Sequence, residues 1–284
     1  MSVLIFIWQT LRIAIPYLFA ASGGVLAERA GVISLTLEGF MLSGAFGAAL
    51  GSFYSGSAWV GILTGVAAGL LFGALHALAC VKYRADQVVA GIAINLLVVG
   101  LTRFFLSMLF DSSSNSPRVA GFAGFFSNPL IWLGLITLPV VAWLLRSTVF
   151  GLRLRAVGEH PDAATSVGVG VRKVRYLAVM LSGVLAGLGG AYLALDQHQF
   201  TDQMTAGRGF IALAAIIFGR WDPARAAIAC LLFAAAEAAQ IRLQSLDVLP
   251  SQFVEMIPYL LTIIALAGLV GRSRAPAALG KPAS

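Results

Sequence analysis

Apolar stretches separated by short polar intervals run along the whole chain, covering residues 4–26, 38–54, 58–81, 87–110, 129–146, 176–195, 209–219, 224–241 and 252–270. Most are close to the roughly 20 residues with which an α-helix crosses a hydrocarbon core about 30 Å thick. Their apolar positions are continuous and sprinkled with Gly and Ala. They do not alternate over units of about ten residues, so the pattern predicts helices and not the strands of an outer-membrane barrel. Ser55-Gly56-Ser57 alone separates the second stretch from the third, which predicts a tight turn. The seventh stretch is short and follows Thr205-Ala206-Gly207-Arg208-Gly209, a Gly-rich polar run. It predicts a half-helix or part of a re-entrant element. The expectation is an all-α, polytopic integral membrane bundle: one transmembrane domain over residues 1–284, with eight or nine membrane segments and some of them broken or re-entrant.

Composition narrows the class. Of 284 residues, 59% are hydrophobic and 11% charged, against about 25% charged in a soluble domain. The net charge of +7 does not call for nucleic acid, because Lys and Arg accumulate in cytoplasmic loops of membrane proteins. With loops 82–86, 146–175 and 220–225 and the tail after 270 on one side, that side holds thirteen of the 19 basic residues. Loops 111–128, 196–208 and 242–251 hold three, Arg118, Arg208 and Arg242. The basic side is expected to be cytoplasmic, with the C-terminus inside; nine crossings would put the N-terminus outside. No basic residue precedes Arg12, so the first stretch reads as a retained span and not a leader. Cys80 and Cys230 lie far apart in apolar runs and read as small packed hydrophobes.

The largest internal hydrophilic segment, Gly151 to Tyr176, carries Arg153, Arg155, Arg172, Lys173 and Arg175 against Glu159 and Asp162. At its centre Asp162-Ala163-Ala164 precedes Gly168. A basic loop with a short amphipathic helix suits the docking of a soluble partner, so the chain reads as a transporter subunit driven from outside itself. The coupling loop is expected over about residues 147–175.

Polar groups inside apolar stretches are the other candidates. Glu28-Arg29 and Glu38 bracket a run containing Gly31, Ser34 and Thr36, which predicts a broken helix lining protein or a cavity. Glu38 either caps the next helix or pairs with Arg29, or it faces a translocation pathway. Asn95 lies mid-span and either bonds across helices or reads a polar solute. Arg103, two turns beyond it, either snorkels outward or lines a vestibule. Gly183 and Gly187 form a GxxxG pair that permits close helix contact. Glu237, Gln240 and Glu255 read as helix ends or outer-mouth contacts. No GxxxxGK[ST] loop and no HExxH motif occur, and His76, His160 and His198 lie in different surroundings. Catalysis has no visible seat, and the chain is expected to be no enzyme and to hold no cofactor or metal.

The run 151–164, Gly-Leu-Arg-Leu-Arg-Ala-Val-Gly-Glu-His-Pro-Asp-Ala-Ala, is similar to the cytoplasmic loop of bacterial ABC importer permeases of the branched-chain amino acid, ribose and nucleoside group. Asp162-Ala163-Ala164-x-x-x-Gly168 resembles their coupling element, with Asp replacing Glu. Residues 28–39, 85–91, 205–214 and 269–276 match as well. The likeness spans nearly the whole chain and is greatest to the shorter permease of purine nucleoside or simple-sugar importers. It implies an ATP-binding ABC subunit that carries ATP and Mg, a second and non-identical permease, and an extracytoplasmic solute-binding protein. Coupling to the ATPase would rest on Glu159, Asp162, Ala163, Ala164 and Gly168. The resemblance transfers no solute contacts, so Glu38, Asn95 and Arg103 stand as pathway candidates on physical grounds.

Two alternatives stay open. A branched-chain amino acid permease needs partners for an ammonium and a carboxylate. A nucleoside favours aromatics and amides, for which Phe104, Phe105, Tyr192 and Asn95 could serve. A stand-alone secondary transporter would show repeated intramembrane carboxylates or inverted repeats, and Glu38 is the one strong candidate.

Overall fold

The computed structural model describes residues 3–122, 124, 127–245 and 274–281. The expectation for a last span at 252–270, with Glu255 at its start, lies outside the described residues. Among the described residues the fold is all helical, with one isolated bridge between Asn115 and Thr201. The helices are α1 (Val3–Arg29), α2 (Leu37–Ser55), α3 (Ala58–Ala77), α4 (Gln87–Phe110), α5 (Pro129–Ser147), α6 (Val149–Glu159), α7 (Pro161–Ser166), α8 (Val171–Gln197), α9 (Arg208–Phe218) and α10 (Pro223–Ser245). A π-helical turn, Leu78–Lys82, extends α3. Among the described residues six helices are long and apolar enough to cross a membrane, α1, α3 with its extension, α4, α5, α8 and α10.

Helix α8 is the most enclosed of these spans, and the inner half of α1, from Ala14 to Glu28, is buried beside it. Small residues permit that central packing. A side chain at Gly183 would collide with the Gly69 carbonyl of α3, and one at Gly187 would press on Gly65 and Gly69. The GxxxG expectation is met by two backbones in direct contact, a close approach that works through dispersion where hydrophobic driving force is absent. Cys80 and Cys230 are free thiols buried in this packing.

Side-chain and backbone contacts define two ends of the bundle. At one end Arg12 pairs with Asp196 and Arg103 with Asp202, and the segment 112–122 lies along residues 198–202. At the other end the end of α1, α6, α7, the turn 219–222 and the tail 274–281 meet. The basic loops 82–86, 146–175 and 220–225 sit at this second end with the tail.

Two elements are interrupted at depth. After Arg29 the chain turns at Gly31, whose φ of 90° favours glycine. It then folds back along α1, with Ser34 Oγ donating to the Gly24 carbonyl at 3.2 Å and Ser34 N–H to Glu28 at 3.1 Å. Only at Leu37 does α2 begin. The broken helix expected between Glu28 and Glu38 is therefore present. In the second interruption residues 198–207 run non-helically from the end of α8 to α9, which is 11 residues long, the short element read from the sequence.

Candidate functional site

The two interruptions meet at Glu38. Its Oε1 accepts the Thr205 hydroxyl at 2.6 Å and the Gly207 N–H at 2.9 Å, and its Oε2 accepts the Gly209 N–H at 2.7 Å. The carboxylate of α2 thus caps the N-terminus of α9, where unsatisfied N–H groups and the helix dipole favour negative charge. Gly209 permits the approach, since a Cβ there would collide with the Glu38 backbone. Glu38 is not paired with Arg29, because the chain reversal at Gly31 turns Arg29 toward the opposite neighbour, the Trp221 carbonyl, at 2.8 Å.

Asn95 braces the same junction from α4. Its Oδ1 accepts the Gly39 N–H at 2.9 Å and its Nδ2 donates to the Leu35 carbonyl at 3.0 Å. Both ends of its amide therefore serve the broken backbone of 35–39. On the far side Arg208 donates to the Met204 carbonyl at 3.1 Å and pairs with Glu237 at 2.8 Å; Glu237 also accepts the Tyr17 hydroxyl. Glu237, read from sequence as a helix end or an outer contact, is tied inside the bundle.

A cavity of about 340 Å³ opens beside this junction, within the size range of small-molecule pockets. Its lining includes Glu38, Asn95, Gln203 and Thr205 among polar residues and Leu42, Ile92, Leu96, Val99 and Phe210 among apolar ones. Among the described residues no cationic side chain lines it. Glu38 and Asn95, both singled out from sequence, are thus brought together. Arg103 is not part of the lining; it pairs with Asp202 at 2.8 Å and holds the turn that precedes Gln203.

The aromatics proposed from sequence fall elsewhere. Tyr192 is 1% exposed, with its hydroxyl on the Arg12 carbonyl, so it cannot stack on a solute. Phe104 and Phe105 stack edge-on against each other on an exposed face of α4. The aromatic at the cavity is Phe210, which sequence reasoning missed although it lies one residue past the Gly207-Arg208-Gly209 break.

At the second end α6 and α7 build a projecting hairpin. Thr148 caps α6 through the Gly151 N–H at 3.1 Å, and Pro161 occupies the first turn of α7. Asp162 and Ala163 point outward, whereas Ala164 is buried against the bundle. Gly168 turns the chain with φ 82° and has open space around it. Glu159 accepts the Ala277 N–H of the tail at 3.3 Å, and the Gly158 carbonyl accepts the Ala278 N–H at 2.9 Å. Arg175, read from sequence as a loop cation, belongs to α8 and is 1% exposed; it donates to the carbonyls of Ala30 and Lys281. At the same end Arg146 pairs with Asp222 at 2.6 Å. Partial burial would raise the Asp222 pKa, but bonds from Arg146 and from the backbone N–H groups of Arg225 and Ala224 carry it below the ordinary value. Among the described residues no group of His, Cys, Asp and Glu could hold a metal ion.

The model of the family described as "branched-chain amino acid transport system / permease component" matches residues 6–266. A guanosine ABC transporter permease protein of Bacillus subtilis is 39% identical, over 96% of this chain and 94% of its own length. A nucleoside ABC transporter permease protein of Lactococcus lactis is 38% identical, over 93% of this chain and 92% of its own. A second guanosine permease protein of Bacillus subtilis is 24% identical, over 88% and 76%. Among solved structures, a transporter of the metal-chelate ABC type in an inward-facing conformation superposes with a TM-score of 0.55 at 16% identity, covering 91% of this chain and 84% of that one. That likeness concerns the fold alone.

Proposed function

The chain belongs to the family of branched-chain amino acid transport system permease components, and from that membership we propose that it is the subunit through which an ATP-driven importer passes a nucleoside or related sugar-like solute into the cytoplasm. As a member of this family it is a multi-pass membrane subunit of an ABC transporter and not itself an enzyme; ATP hydrolysis belongs to a separate subunit.

The cavity beside Glu38 carries the choice of solute. Burying an ionised solute needs a countercharge. Among the described residues the one charged lining residue, Glu38, already has both oxygens occupied by three donors, and no cation lines the cavity. An amino acid would find no partner for its carboxylate, so the site suits a neutral solute with apolar surface and a few polar edges. The guanosine and nucleoside relatives support the same reading.

In this reading the end of the bundle that holds α6, α7 and the tail faces the cytoplasm, as its basic loops favour. The interrupted segments 30–55 and 198–218 add two crossings to the six long helices of the described residues, and α1 starts at the outer face. The ATPase docks on Asp162, Ala163 and the turn at Gly168, with Glu159 fixing the loop to the tail. A second, non-identical permease completes the route, in line with the two guanosine permease proteins of one organism. A solute-binding protein delivers at the Arg12 and Arg103 end, in a cytoplasmic membrane.

The test is uptake into proteoliposomes by the full complex with its binding protein. Guanosine is expected to enter with ATP and to be displaced by other nucleosides but not by leucine. ATP-dependent leucine uptake that guanosine fails to inhibit would contradict the reading.

A further inference from the structure

Among the described residues, one polar side chain at the cavity is left unused. Gln203 stands in the turn before α9 with φ 52°. The turn is fixed on one side by the Arg103–Asp202 ion pair and on the other by Thr205 bound to Glu38. The Gln203 side chain is exposed and lines the cavity, with no hydrogen-bond partner among the described residues. The other polar lining side chains are committed: Glu38 to three donors, Asn95 to Gly39 and Leu35, and Thr205 to Glu38. Phe210, in the first turn of α9, is 45% exposed and lines the same cavity. Leu42, Ile92 and Val99 complete an apolar wall.

We propose that Gln203 and Phe210 form the base-recognition pair of the transport route. The heterocycle of a nucleoside stacks on Phe210, and the Gln203 carboxamide meets its polar edge. This rests on the nucleoside reading above and adds the residues that hold the base. A carboxamide offers an acceptor oxygen and two donor hydrogens side by side. It therefore fits an edge that presents a donor next to an acceptor, as adenine does with its amino group and ring nitrogen, and as guanine does with its N1–H and O6. A planar ring needs a π face and no charge, which matches a wall of one aromatic and several aliphatic side chains.

The experiment uses the assembled transporter in proteoliposomes, with saturating binding protein, and compares initial uptake of guanosine and adenosine. Gln203→Gly suits the positive φ and removes the carboxamide; uptake of both nucleosides is expected to fall about ten-fold or more, because a site built to bond a substrate edge loses its discriminating contact, while the complex assembles at the parental yield. Gln203→Glu leaves acceptors only. The N1–H and amino group of guanine can both donate to a carboxylate, whereas the adenine ring nitrogen faces it lone pair to lone pair. The guanosine-to-adenosine ratio is expected to rise about ten-fold, a change that a merely structural role for Gln203 would not produce. Phe210→Tyr is expected to retain uptake and Phe210→Leu to lower it for both. An unchanged ratio in Gln203→Glu overturns the assignment, whether total uptake is parental or uniformly lowered. If the parental complex takes up neither nucleoside, the nucleoside reading falls and this assignment with it; if it takes up both and the Gln203 variants match it, the assignment falls alone.

Discussion

Arg29, the last residue of α1, donates its Nε to the backbone carbonyl of Trp221 at 2.8 Å. The bond joins two distant parts of the molecule. On one side the Arg29 carbonyl lies against Gly158 of α6, where a Cβ would collide with it. On the other, Trp221 follows α9, whose opposite end is capped by Glu38 at the cavity. The proposed docking hairpin and the proposed solute site are therefore ends of one continuous set of packed contacts. Continuity alone does not establish coupling, so its members are tested singly.

Trp221 also donates its indole N–H to the buried carboxyl of Glu28. Trp221→Phe removes that donor together with part of the buried indole, leaving Glu28 with the Ser34 N–H. A buried acceptor that loses a partner costs about 1–3 kcal/mol. The purified subunit is expected to denature at a lower temperature in detergent; an unchanged midpoint would show that the contact contributes nothing to stability.

Glu38→Gln tests the cap of α9. The amide keeps an acceptor for Thr205 and Gly207, but its NH₂ group cannot accept the Gly209 N–H, and the charge that favours the helix end is gone. Stability is expected to drop by about 1–2 kcal/mol, and guanosine uptake to fall with it. Parental stability together with parental uptake would remove Glu38 from both roles.

Much of this junction was legible in the sequence, and what was missed has a physical reason. Glu38 and Asn95 stood out because a carboxylate and an amide inside apolar runs demand partners. The partners did not follow from spacing. Glu38 bonds residues 205–209, 167 to 171 positions away, because two separately interrupted helices meet end to end. Arg29 is a natural mate for Glu38 only in a chain that runs straight past Gly31, where this one reverses. Arg175 read as one cation in a basic loop; the sequence did not reveal that α8 begins before it, nor that the tail residues 277–281 pass beneath and bring the Lys281 carbonyl to it. Tyr192 and Phe210 exchanged importance because helical position decides which aromatic faces the core and which the cavity.

Ala163→Arg examines docking without touching the fold. Ala163 is exposed, whereas Ala164 is buried and Gly168 has φ 82°, so changes at the latter two would mix strain with loss of contact. The variant is expected to reach the membrane at parental levels, to recover less than about a tenth of the ATPase on co-purification and to lose uptake, in keeping with the cost of a buried unpaired charge. Parental recovery of the ATPase would place the docking surface elsewhere.

Topology is checked with single cysteines at Ser114 and Ala275 in a background of Cys80→Ala and Cys230→Ala. An impermeant thiol reagent added to intact cells is expected to label position 114 and to spare position 275 until the membrane is opened. Labelling at 275 in intact cells would invert the orientation.

The most direct test of the solute route places a cysteine at Ala206, an exposed residue on the cavity wall, in the same cysteine-free background. The assembled transporter is treated with a methanethiosulfonate reagent, and ATP-dependent guanosine uptake into proteoliposomes is then measured. Modification is expected to abolish uptake, and guanosine supplied with its binding protein and ATP is expected to slow the modification. Complete modification with uptake unchanged, and at a rate that guanosine does not alter, would contradict the claim that solute passes the Glu38 junction.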